Sequence, residues 1–315
     1  MSATKIQYLD RTWSPIKMLC HRVSAGCANC WHMRMANRMK SNPALSEDAR
    51  LAYIGGKPWL DGKELEAPLK WRKPQRVGVQ FMGDLFHDDV HVDMINLVFC
   101  RMAVARQHTF LILTKRPKRM LRWFELGIVG IVKEMMLHRS MDENERRGTP
   151  KFPWPLPNVH IGVSVEDQKT ADERIPLLLQ TPAAVRWISA EPLLGQVNLH
   201  AFICENGSMD RPEQKMSSVC EGNGKLNWTV VGGESGPKAR PCDVEWIRSI
   251  VQQCKAASVP VFVKQMGANS IITAKPGCAG FGIRNESPYR LEYKDRSGAD
   301  MAEWPEDLCV RQFPK

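Results

Sequence analysis

The sequence predicts an α/β fold of the β/α-barrel kind. Three observations carry this: short, near-continuous apolar runs recur along the chain, helix-period stretches separate them, and no glycine-rich dinucleotide fingerprint follows any run. The runs are RVGVQFMGD (76–84), HTFLILTKRP (108–117), NVHIGVSVED (158–167), AVRWISAEP (184–192), NWTVVGGESG (227–236) and VPVFVKQMG (259–267). Apolar runs without strict alternation suit parallel strands buried on both faces. A strand ahead of Cys20 would bring the total to six or seven β/α units.

Between the runs, DMINLVFCRMAVARQ, QKTADERIPLLLQ and DVEWIRSIVQQCKAAS repeat apolar residues at three- and four-residue spacing, as helices covering a sheet should. At 315 residues the chain could hold two average domains, but one barrel of β/α units also uses this length. The expected barrel occupies 1–267, interrupted by polar or Pro- and Gly-punctuated insertions at 41–75, 140–157 and 200–226. The segment 268–315 has little periodicity and is expected to wrap the barrel as a C-terminal extension.

Hydrophobic residues at 43% and charged residues at 25% exclude disordered and fibrous classes. No stretch approaches the length of a membrane span and no apolar signal core opens the chain, so a cytoplasmic protein without a membrane partner is expected. Ten cysteines in so long a chain suit a reducing compartment with one metal site better than a disulfide scaffold. The formal charge of +10 is concentrated in runs such as KWRKPQR (70–76) and TKRPKRMLR (114–122), which makes DNA or another polyanion a candidate partner. The plainer alternative is that these cations only solubilise helix faces.

The sharpest local signal is CHRVSAGCANCWHMRMANRM, where Cys20, Cys27 and Cys30 follow a C-x6-C-x2-C spacing on a loop that runs into a helix. Three thiolates on one loop can hold three irons of a [4Fe–4S] cluster and leave the fourth iron open. A zinc site with His21 or His32 as fourth ligand is the competing reading, and spacing alone leaves both open, with inert thiols as a third. Cys204 and Cys220 lie in the polar insertion and offer a second site, but their wide separation favours unrelated free thiols.

A polar residue closes each proposed strand: Asp84, Thr114 and Lys115, Ser164 and Glu166, Glu191, Glu234, and Lys264 with Gln265. Active sites of β/α barrels gather at that end, whereas any one such residue alone reads as a cap or turn.

The W-S-P near the start, the triple-cysteine loop, MGDLF, LTKRP, GVSVED, ISAEPLLG, VVGGESG and EWPEDL together resemble a widespread bacteriophage protein family that is similar to radical S-adenosylmethionine (SAM) proteins. The resemblance runs from Trp13 into the C-terminal tail. It implies a partial (β/α)6, TIM-like barrel with the cysteine loop after the first strand, a [4Fe–4S] cluster on Cys20, Cys27 and Cys30, and SAM on the open iron. It further implies that Gly83 and Asp84 receive the SAM amino group, that Ser164 and Glu166 hold the ribose, and that Glu191 and Glu234 face substrate or the SAM carboxylate. The six-residue gap between Cys20 and Cys27 departs from the commonest radical SAM spacing, C-x3-C-x2-C.

The resulting expectation is a radical SAM enzyme of the host cytoplasm that acts on a hypermodified thymine in phage DNA by hydrogen abstraction and rearrangement. A flavodoxin or ferredoxin would supply electrons. The rivals are a zinc-stabilised nucleic-acid-binding protein without catalysis and a barrel hydrolase using carboxylates such as Asp84 and Glu191.

Overall fold

The computed structural model describes residues 4–126, 153–203, 225–273 and 288–314. The chain is a mixed α/β protein whose main sheet has seven strands. In chain order these are β1 (Arg11–Trp13), β4 (Arg76–Val79), β5 (Thr109–Thr114), β6 (Val159–Ser164), β7 (Val185–Ala190), β8 (Trp228–Gly232) and β10 (Val261–Gln265), and they lie side by side in that same order. The strands β1 and β10 are the two ends of the series, so the sheet is an open one, consistent with a partial barrel. All six apolar runs predicted as strands contain one, and each is buried along most of its length, as the absence of alternation required. Two compact units share the chain, one formed by 1–163 with 176–187 and the other by 164–175 with 188–315.

In the first unit β1, β4, β5 and β6 pair in parallel, with Trp13 opposite Val79 and Leu113 opposite Gly162. Gly162 makes room for an indole: a Cβ there would stand 2.5 Å from Trp187 Cε2. Helices α1 (Trp31–Met39), α4 (Val92–Val104) and α5 (Pro117–Leu126) belong to this unit. Phe99 of α4 stacks at 4.2 Å between centroids on Trp123 of α5, whose Nε1 donates to buried Asn96. The insertion at 41–75 folds into α2 (Glu47–Ala52), β3 (Trp59–Leu60) and α3 (Gly62–Leu65). Ser46 and Asp61 cap its two helices, and β3 pairs antiparallel with β2 (Ile16–Lys17).

In the second unit β8 and β10 are parallel neighbours, and α8 (Val244–Ala256) starts at Asp243, whose carboxylate caps the Glu245 N–H. This unit also holds most of α6 (Gln168–Gln180) up to Ile175, the short α7 (His200–Ile203), and a small sheet of β9 (Cys242–Asp243), β11 (Ser270–Ile272) and β12 (Tyr289–Arg290). The final segment covers the free side of β10: Val263 donates to Val310, Gln312 donates to Val261, and Phe262 bridges Arg311 antiparallel. Unpaired backbone groups on a sheet edge are thereby satisfied within the chain. The expected insertions at 140–157 and 200–226 lie largely outside the described residues. Among the described residues no helix is long and apolar enough to cross a membrane.

Candidate functional site

Two groups of side chains collect at the strand ends, one in each unit. The first is built around the cysteine loop, which follows β1 and β2 and leads into α1. A 3-10 turn over Ala25–Cys27 curls the loop, and Cys30 opens α1 at its N-cap. Cys27 is buried while Cys20 and Cys30 are partly exposed, and none of the described cysteines forms a disulfide.

The environments of the thiols differ. Burial pushes Cys20 up to about 11, against the pull of Arg116, whose Nη1 lies 3.8 Å from the sulfur. Burial also opposes ionisation of Cys27, but the backbone at Val23 and Ser24 and the charge of Lys115 outweigh it and bring this thiol below its ordinary value. His32, buried on α1, accepts the Cys20 N–H through Nε2 at 3.1 Å. Burial holds His32 down to about 4, so it is neutral with its proton on Nδ1. To ligate a metal through Nε2 it would have to release the Cys20 backbone.

Behind the loop, Asp84 organises the ends of β4 and β5. Its carboxylate accepts from the Thr114 hydroxyl at 2.7 Å, Arg116 Nη1 at 3.0 Å, the Phe86 N–H at 3.0 Å and the Lys115 N–H at 3.1 Å. Arg116 reaches on to the His21 carbonyl at 3.3 Å, so one guanidinium ties Asp84 to the thiol loop. Gly83 sits at φ +138, and a Cβ there would meet Met18 Sδ at 2.8 Å, which gives this glycine a backbone reason. Gln80, buried at φ 55, exchanges two hydrogen bonds with the Ile16 backbone and fixes the end of β4 against β2.

Beside Cys20, His87 Nε2 lies 3.0 Å from His21 Nδ1, and His87 Nδ1 accepts the Asp89 N–H at 3.2 Å. Among the described residues, His21, His87 and Asp89 are the group whose ligand atoms all lie within 4.8 Å of one another, close enough for a single ion. The three thiols form no such group, although tetrahedral zinc with bonds of about 2.3 Å would hold its sulfurs about 3.8 Å apart.

The second group lies at the ends of β6, β7, β8 and β10. Glu166 is fully buried and receives Arg174 Nη1 at 3.1 and 3.3 Å, and the same nitrogen donates to the Ser164 carbonyl at 2.7 Å. The Ser164 hydroxyl donates to the Glu191 carbonyl at 3.2 Å. The Glu191 carboxylate meets Lys264 Nζ and, at 3.3 Å, Gln265 Nε2. Glu234 takes a two-pronged pair from Arg240, Nη2 at 2.7 Å and Nε at 2.9 Å, plus the Arg240 N–H at 2.9 Å. Gly233 permits a close backbone approach, since a Cβ there would fall 2.1 Å from the Met266 carbonyl.

Every acidic strand-end residue predicted from sequence therefore has a cationic partner. Sequence reasoning missed those partners: Arg174, Arg240, and Arg116 inside the run read as a polyanion surface. Arg116 is buried and spent on Asp84, and Arg119 donates to the Val90 carbonyl, so only part of that run is available to solvent. It also missed His87, for which the sequence offered no periodic or spacing signal. Cys204 and Cys220 lie outside the described residues.

The fold and this site define an α/β protein with an open parallel sheet and a three-thiol loop beside its first strands. The profile of a family described as "Protein of unknown function (DUF5131)" matches residues 3–292, and the chain belongs to that family. No curated protein and no solved structure matches it.

Proposed function

We propose that this chain is a radical SAM enzyme whose Cys20, Cys27 and Cys30 hold a [4Fe–4S] cluster, and whose substrate is a modified nucleobase, a hypermodified thymine in phage DNA. The observation that carries the reading is the loop itself: three unpaired thiols within eleven residues, one buried and two partly exposed, in differing electrostatic settings. The donor set suits such a cluster in number and kind, since three thiolates can hold three irons. Once bound and given an electron from a flavodoxin- or ferredoxin-type protein, the cluster and SAM would supply radical chemistry for abstracting a hydrogen from the substrate.

The chain's own residues hold and shape this centre. Arg116 lowers the charge cost of the Cys20 thiolate, while Asp84 fixes Arg116 and the ends of β4 and β5. Gly83 and Asp84 are the proposed contacts for the SAM amino group. In the second unit the Glu166, Glu191 and Glu234 carboxylates are held by Arg174, Lys264 and Arg240, and a ligand group there would share them with those cations.

A second reading has one observation in its favour. The grouping of His21, His87 and Asp89 beside Cys20 suits a zinc ion in a nucleic-acid-binding protein without catalysis. The two readings part on one experiment. With SAM, reductant and modified DNA carrying a deuterated base side chain, the enzyme forms 5′-deoxyadenosine that contains the label. Label that never transfers with any pyrimidine-modified DNA defeats the nucleobase proposal.

A further inference from the structure

From His21 to Ser46 the chain contains no acidic residue, while it carries Arg22, Arg34, Arg38 and Lys40. Helix α1 lies in this stretch and divides cleanly by burial: His32 and Ala36 turn inward, whereas Trp31, Arg34, Asn37 and Arg38 are exposed. At about 100° per residue, positions 31, 34 and 38 fall within about 60° of one another on one face. Along the axis Arg34 stands about 4.5 Å and Arg38 about 10.5 Å beyond Trp31, from a rise of about 1.5 Å per residue. Trp31 leaves 46% of its surface open directly after Cys30. Among the described residues no carboxylate pairs with Arg34 or Arg38, in contrast to Arg116, Arg174 and Arg240.

We infer that the exposed face of α1 binds a single nucleic-acid strand, with Trp31 stacking on an unpaired base and Arg34 and Arg38 meeting the phosphates that flank it. The inference deepens the nucleobase reading above and rests on it for the choice of partner. Charge complementarity argues for a polyanion, because the face is cationic without an acidic counterweight. The indole argues for bases over an acidic protein surface, because a flat ring accessible to solvent beside two guanidinium planes matches stacking platforms for single strands. A base must leave the duplex stack before an enzyme can work on it, and an open indole next to the thiol loop gives such a base a place to rest.

The test is anisotropy titration of a fluorescein-labelled single-stranded oligothymidylate with the full chain, without SAM or reductant, over a range of salt. Trp31→Ala should weaken binding about tenfold or more, and Trp31→Tyr, which keeps a stacking ring, should stay close to wild type. Arg34→Ala with Arg38→Ala should reduce the salt slope by about 0.7 per arginine removed. If Trp31→Ala does not fold, Trp31→Leu against Trp31→Tyr decides, since only the latter can stack. Equal affinity for Trp31→Leu and Trp31→Tyr, an unchanged salt slope, or loss of binding to an acidic protein with oligonucleotide binding intact would each overturn the assignment. A chain that binds the strand through α1 yet forms no 5′-deoxyadenosine leaves this surface standing and fails the enzyme reading. The reverse result removes the surface alone.

Discussion

Replacing Asp84 with alanine removes the acceptor of four hydrogen bonds, from Thr114, Lys115, Phe86 and Arg116, at distances of 2.7 to 3.1 Å. The Arg116 side chain is only 8% exposed, and without Asp84 it keeps the His21 carbonyl at 3.3 Å, the Cys20 sulfur at 3.8 Å and the Asp88 carboxylate at 3.7 Å. Asp88 is 77% exposed and is a weak substitute for a buried anion. Stripping one partner from a buried ion pair costs about 3–5 kcal/mol. The orphaned N–H groups would add about 1–3 kcal/mol each only where water cannot reach them, so these costs overlap and do not sum. We expect Asp84→Ala to lower the unfolding free energy by about 4 kcal/mol, seen as a lower urea midpoint at unchanged slope. Asp84→Ala with Arg116→Met should lose less than the two single changes added together, with a coupling above about 1 kcal/mol. A loss under about 1 kcal/mol for Asp84→Ala, or strict additivity, would refute the idea that Asp84 holds the thiol loop through Arg116.

Three further outcomes follow from the structure. Gly233→Ala would set a Cβ 2.1 Å from the Met266 carbonyl, a backbone atom that cannot swing away, and should destabilise by about 1–3 kcal/mol in thermal unfolding. Burial pushes His160 from its ordinary 6.5 down to about 4, so its neutral form stabilises the fold above pH 6.5 and that contribution is lost as the pH falls towards 4. At about 1.36 kcal/mol per unit this is worth about 3 kcal/mol, and His160→Gln should flatten the acid limb of stability against pH by that amount. Replacing Cys20, Cys27 or Cys30 with alanine should each abolish cluster retention, whereas Cys100→Ala and Cys254→Ala, at buried helix positions, should leave the bound iron and sulfide intact. Equal loss from all five would mean the cysteines act through folding.

Much of the fold was legible because parallel strands buried on both faces write themselves as unbroken apolar runs. FLIL became β5 and VHIGVS became β6 for that reason. Helix α8 was equally plain from its three- and four-residue apolar spacing, with Asp243 as its cap. The two-residue strands β2, β3, β9 and β12 were not legible, since two residues carry no period. At the site, sequence placed Asp84, Glu166, Glu191 and Glu234 at strand ends but could not say what each carboxylate faces. Arg174 lies eight residues beyond Glu166, within α6, and Lys264 lies 73 residues along the chain from Glu191, so their pairing depends on how strands and helices fold back. Arg116 looked like one more surface cation in a basic run, and only its burial against Asp84 separates it from Lys118 and Arg122.

Metal and sulfide analysis of the full chain, purified and reconstituted without oxygen, decides whether Cys20, Cys27 and Cys30 hold an iron–sulfur cluster. The expected result is a brown protein with iron and acid-labile sulfide at about four each per chain. Stoichiometric zinc with no sulfide would contradict it and favour the binding-protein reading at His21, His87 and Asp89.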